Sequence, residues 1–285
     1  MKKEHLSLKN EFKQKLQHFV KELKEYISTD DDQWKIKGFI DIFKNIYTIS
    51  GDTKILSKLL EIHLFPKIAK FADENSYKIV LADHQNYYPD ISFVSNSDDA
   101  IKFALDFKTT YRLTKYPGFC NGFTLGSHGE YFINRSSTKN IQFPYKDYLG
   151  HFCLGIIYTR TASEDIDEIR ICDIKSLTAI TSVIKDFQFF ICEKWEIASD
   201  QRGSGNTANI GSINKIEDII ICGGMFKNLG EKWFDDYWMN YGKIIIKGTD
   251  GKEQKIKSLK DYLIYRGKDP KLVNQRASKK IKENE

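Results

Sequence analysis

Three side chains in this sequence are spaced to hold a hard cation beside a phosphodiester. Asp90 follows Pro89, Asp106 lies 16 residues further on, and Lys108 stands two beyond it. Hydrolysis of a phosphodiester calls for carboxylate oxygens that bind a hard ion such as Mg2+, which lowers the pKa of an attacking water, and for a fixed positive charge near the phosphoryl oxygens. The acid-x-Lys doublet alone says little, because it occurs eight times, starting at Glu11, Glu22, Asp52, Asp106, Asp173, Asp250, Glu253 and Asp269. Of the five prolines, however, only Pro89 is followed by Asp. The alternative is a solvated strand face carrying ordinary charges.

The elements around these residues favour a site. Residues 101–110 alternate, with Ile101, Phe103, Leu105 and Phe107 on one face and Lys102, Ala104, Asp106 and Lys108 on the other, the period of a half-buried strand. A strand over about 88–94, joined to it by the turn Ser95, Asn96, Ser97 and Asp98, makes an antiparallel hairpin. Another strand is expected over 77–81. Before it, a helix starts near Thr53 as N-cap and runs to Pro66 or beyond, carrying Glu61 as a possible third acid or an exposed helix carboxylate. His63 on that helix reads as a surface or core histidine. Further upstream, Phe12, Leu16, Phe19, Val20, Leu23 and Ile27 recur at helical spacing over 8–27. Downstream, the apolar segment 152–159 fits a strand or a helix, 183–197 alternates less cleanly, and 203–207 is a glycine-rich loop. The aromatic segments 233–241 and 262–265 are expected to cover the sheet or complete a dimer-facing side. The whole reads as a mixed α/β domain.

Composition narrows the class further. The 285 residues include 41% hydrophobic and 13% aromatic, enough for a sizeable core and incompatible with disorder throughout. Net charge is +5, so any DNA surface must be local. Lys268, Lys271, Arg276, Lys279, Lys280 and Lys282 crowd the end of the chain, as a solvated tail or a phosphate-contacting one. Cys120, Cys153, Cys172, Cys192 and Cys222 are scattered and read as buried, reduced thiols. No apolar run approaches the ~18 residues of a membrane span, and a cytoplasmic location is expected. The stretch 203–212 lacks the G-K-[ST] of a phosphate loop.

Over most of its length the sequence resembles the EcoRV-type restriction endonucleases of the PD-(D/E)xK superfamily. The resemblance is carried by Gly51 to Lys54 with Leu60 and Glu61, by Gln85, Asn86, Tyr88, Pro89 and Asp90, and by Asp106, Lys108, Thr109, Thr110 and Tyr111. It continues through Lys194 and Trp195, and above all through Gly203, Ser204, Gly205, Asn206 and Thr207. It implies a restriction-endonuclease-like central mixed β-sheet flanked by helices, within one domain over 1–285 that has a helical extension (1–30) and a basic tail (268–285). It implies Asp90 and Asp106 as Mg2+ ligands, Lys108 as the catalytic lysine and Glu61 as an auxiliary acid. Gln85 and Asn86 become a minor-groove loop, Thr109 and Thr110 DNA-contacting residues, and 203–207 the major-groove recognition loop. In that loop glycines admit the backbone to base edges, and Asn can bind adenine at two points. The activity implied is cleavage of double-stranded DNA at GATATC, centrally and to blunt ends. It is the work of a homodimer, with a methyltransferase protecting the same site in the host. A repair or junction-resolving nuclease, or an inactive DNA-binding protein, are the rival readings; the first needs no 203–207 loop, and the second needs neither Asp90 nor Lys108.

Overall fold

The computed structural model describes residues 3–84, 86–162, 170–203, 208–247 and 253–278. The chain opens with α1 (Lys3–Phe19), a 3-10 turn (Val20–Glu22) and α2 (Leu23–Ile27), followed by the hairpin β1 (Gly38–Ile40) and β2 (Asn45–Thr48). Next come α3 (Thr53–Glu74), then β3 (Tyr77–Leu81), β4 (Ile91–Ser95), β5 (Lys102–Tyr111) and β6 (Thr124–Ser127). After the single turn α4 (Glu130–Ile133) follow β7 (Gly150–Arg160), β8 (Ile171–Asp173), β9 (Ile184–Glu193), β10 (Ala198–Arg202) and β11 (Asn209–Ser212). The remainder comprises α5 (Ile216–Ile220), α6 (Glu231–Asn240), the hairpin β12 (Ile245–Lys247) and β13 (Glu253–Lys255), and α7 (Leu259–Tyr265).

Five strands in the order β3-β4-β5-β7-β9 form the central sheet, antiparallel except for the parallel pair β5 and β7. The period-2 pattern of β5 divides two cores. Phe103, Leu105 and Phe107 join one with α1, α2 and α3, while Ala104 joins the other with α6 and α7. The single amphipathic helix expected over 8–27 is interrupted at the 3-10 turn, yet Phe12, Leu16, Phe19, Leu23 and Ile27 are all buried. That face therefore packs on its own sheet: Phe12 stacks on Phe103 with ring centroids 4.1 Å apart. Lys9 is buried with it, its Nζ 2.6 Å from Glu193 and 2.9 Å from Glu231. A buried ammonium is tolerable only when paired in this way.

Three expectations are corrected and one open segment is resolved. The N-cap of α3 is Asp52, whose carboxylate accepts from the backbone N–H groups of Lys54 at 2.8 Å and Ile55 at 3.1 Å; Thr53 is the first helical residue. The ambiguous segment 152–159 lies in β7, which has partners on both sides and packs against both cores, so no alternation shows. Cys192 and Cys222 are joined as a disulfide rather than reduced, and Cys172 is only half-buried. Residues 268–278 are not a free tail: Val273 and Ala277 are buried, and the side-chain amide of Asn274 donates to the Gly223 carbonyl at 2.6 Å. Residues 279–285 lie outside the described set. Among the described residues no helix is long and apolar enough to cross a membrane.

Candidate active site

Register brings the three spaced residues together. Ile91 pairs with Leu105 across β4 and β5, which sets Asp90, just before β4, opposite Asp106. The backbone N–H of Asp90 donates to Asp106 Oδ1 at 3.3 Å, and that of Phe107 donates to Asp90 Oδ2 at 2.7 Å. Lys108, one pleat beyond Asp106, places its Nζ 3.0 Å from Asp106 Oδ2. Burial, reinforced by the Asp106 charge, pushes Asp90 up from 3.8 to about 6, against the pull of Lys108. Burial pulls Lys108 down, but the Asp106 and Asp90 charges outweigh it and hold the ammonium charged. Two crowded carboxylates, one reluctant to ionise, are what a hard divalent cation would relieve, so the donor set fits such an ion.

The strain on Asp90 has a measurable sign. Its folded-state pKa of about 6 exceeds the ordinary 3.8, so the native state holds a proton that the unfolded chain has released between those values. Stability is thus lost as pH rises through that window and stays lower above it. Asp90→Asn should melt higher than the parent at pH 7.5 in EDTA, and the two melting points should converge near pH 4. Equal melting at both pH values would show that Asp90 carries no such penalty.

Glu61 reaches the same place from α3. Its carboxylate pairs with Lys58 one turn earlier, and both line a cleft of about 420 Å3 with Asp90, His84 and Tyr87, walled by Ile62, Phe65 and Phe107. Glu61 adds a smaller upward push on Asp90. His63, on the same helix, accepts a hydrogen bond at Nδ1 from Trp34 Nε1 at 3.1 Å and is half-buried. The cleft residues Lys58, His84 and Tyr87 were not singled out by pattern, because only the return of β3 and β4 toward α3 gathers them.

The DNA-contacting candidates fall differently. Asn86 is exposed on a turn, where the backbone N–H of neighbouring Asp83 donates to Gln142 Oε1 at 2.9 Å; Gln85 lies outside the described residues. Thr109 is half-buried, whereas Thr110 is buried with its hydroxyl donating to the Asn121 carbonyl at 2.5 Å. Gly203 is exposed at the end of β10, and a Cβ there would meet Thr124 Cγ2 at 2.7 Å. Ser204, Gly205, Asn206 and Thr207 lie outside the described residues. The strand β10, which leads into them, is anchored by two helices. Tyr237 of α6 donates its hydroxyl to the Asp200 carbonyl at 2.6 Å, and Asp200 Oδ2 accepts from the Leu259 N–H of α7 at 3.0 Å. The aromatic segments thus support the loop's base, with Phe234, Tyr237, Trp238 and Tyr262 buried.

The family profile described as Restriction endonuclease EcoRV matches residues 30–267, spanning this cluster and both candidate loops. The chain belongs to the EcoRV family of restriction endonucleases. The Type II restriction enzyme EcoRV of Escherichia coli is 34% identical over 242 residues, 84% of this chain and 94% of that relative. As a member of the EcoRV family the protein is a type II, site-specific deoxyribonuclease, and the family's reliance on a divalent metal agrees with the carboxylates at Asp90 and Asp106. The helix α1 lies before the span matched by the EcoRV profile, yet it is built into the central sheet through Phe12.

Proposed function

We propose that this protein hydrolyses double-stranded DNA with Mg2+ at GATATC, cutting centrally to leave blunt ends, and that a host methyltransferase modifies the same site. The observation that carries the proposal is the Asp90, Asp106 and Lys108 cluster on adjacent strands, with contacts of 3.0 to 3.3 Å. Asp90 and Asp106 would hold the ion, with Glu61 near it. A bound Mg2+ supplies charge neutralisation at the phosphoryl oxygens and a more acidic water. Lys108, beside the carboxylates, offers N–H groups to the phosphoryl oxygens or to the attacking water. Gln85 and Asn86 would follow the minor groove, and Gly203 to Thr207 would read bases in the major groove. The test is to incubate the protein with a sequenced plasmid in magnesium and map the ends. Blunt ends within GATATC are expected; ends elsewhere, or no cleavage, would overturn the assignment.

A palindrome read on both strands calls for two active centres related by a two-fold axis, hence a homodimer. The face of α1 does not supply the contact, since it is buried against the sheet. The hairpin β1 and β2, extended by β8, presents Phe39, Ile40, Ile42, Phe43 and Ile171 to solvent, with Ile42 89% and Phe43 77% exposed. Such an apolar cluster on a short hairpin is costly unless covered, and a second copy of the same hairpin is its proposed cover. The double variant Ile42→Asp, Phe43→Asp should elute and scatter light as a folded monomer, with cleavage of both strands lost. A dimer mass for that variant would place the contact elsewhere.

A further inference from the structure

Lys194 is 1% exposed, and among the described residues its Nζ has no hydrogen-bond partner. An ammonium buried without an anion in contact is expensive, so its surroundings matter. The Nζ lies 3.8 Å from the ring centre of Tyr88 and 5.7 Å from that of Tyr145, a cation held over aromatic faces. It occupies space left by Gly126, where a Cβ would stand 3.1 Å from it. Tyr88 is itself fixed: its hydroxyl is 2.9 Å from His151 Nδ1, and His151 stacks on Tyr145 at 3.7 Å. The cage is thus rigid and leads through Pro89 directly to Asp90.

The sheet registers lead from Asp106 to this charge along one face. Asp106 pairs with Cys153, and Cys153 with Cys192, so the three side chains line one face, with Lys194 two residues past Cys192. Asp106 exerts the leading attraction on Lys194. Cys153, between them, stays neutral because burial pushes its thiol up to about 12. Burial lowers Lys194 to about 8, which leaves it an ammonium at neutral pH. Asp106 is therefore attracted to two ammonium groups, Lys108 in contact with it and Lys194 without contact.

We propose that Lys194 sets the divalent-cation affinity of the Asp90 and Asp106 pair, keeping it low until a phosphate brings its own negative charge. The inference rests on reading those carboxylates as cation ligands, and calorimetric titration of the full-length protein with Mn2+, in the absence of DNA, separates the two claims. Lys194→Met and Lys194→Gln remove the charge with side chains of similar length and should each bind Mn2+ roughly tenfold more tightly than the parent. Lys194→Met should melt no lower than the parent, because it exchanges an unpaired ammonium for an apolar group. Asp106→Asn serves as the reference and should weaken Mn2+ binding. Parental or weaker Mn2+ affinity in both Lys194 variants, with binding reduced in Asp106→Asn, overturns the role of Lys194 alone. Unchanged binding in Asp106→Asn overturns the cation reading beneath it.

Discussion

Asp90→Ala, Asp106→Ala and Lys108→Ala should each yield a folded protein whose cleavage of GATATC in magnesium falls by roughly a thousandfold or more. In the proposed role the two carboxylates are the ion's ligands from the protein, and neither belongs to an apolar core cluster: Asp106 is a buried acid in mid-β5, and Asp90 precedes β4. Asp90→Ala also strands the Phe107 N–H that now donates to Asp90 Oδ2 at 2.7 Å, so β5 loses an anchor next to Asp106. Lys108→Ala removes the charge 3.0 Å from Asp106 Oδ2 and leaves the two acids facing each other without a cation in contact. Single-turnover cleavage of a GATATC duplex, with circular dichroism as the check on folding, measures all three. Near-parental rates in any of them would mean that the reaction centre lies elsewhere.

Asn206→Ala should instead remove discrimination. In the proposed role the Asn206 side chain contacts adenine at two points, worth about 1–3 kcal/mol, and a dimer loses that contact twice. Cognate cleavage should drop by orders of magnitude while salt-sensitive binding to unrelated duplexes stays near the parental level, because phosphate contacts carry that binding. Cleavage of GATATC and its single-base variants, paired with nonspecific binding at two salt concentrations, tests this. Full rate with full selectivity would move the recognition surface away from 203–207 while leaving the nuclease assignment intact.

How much of this was readable in the sequence depends on whether the determinant is local. The alternation from Ile101 to Lys108 and the Pro89-Asp90 step are local, and they are enough to specify the hairpin and its three polar side chains. The strand β7 was not readable as a strand, since burial on both faces erases the period that marks one. Nor was the fate of Lys9, whose partners Glu193 and Glu231 lie 184 and 222 residues away. The burial of Lys194 is unreadable for the same reason: the aromatic faces of Tyr88 and Tyr145 around it come from distant segments. The cap falls on Asp52 rather than on the expected Thr53 because Asp and Thr, side by side, both have a side-chain oxygen able to cap, and the sequence does not say which one leaves helical geometry first.

The seating of Phe12 on Phe103 bears on how the enzyme can be shortened. A chain trimmed to begin at residue 30, where the family match starts, would bare the Phe103 and Phe152 rings that Phe12 now covers. It would also leave the Glu193 carboxylate, the immediate neighbour of Lys194, without the ammonium that neutralises it. The first helix is therefore a permanent wall of the catalytic sheet, and fusion partners or affinity tags belong ahead of it rather than in its place.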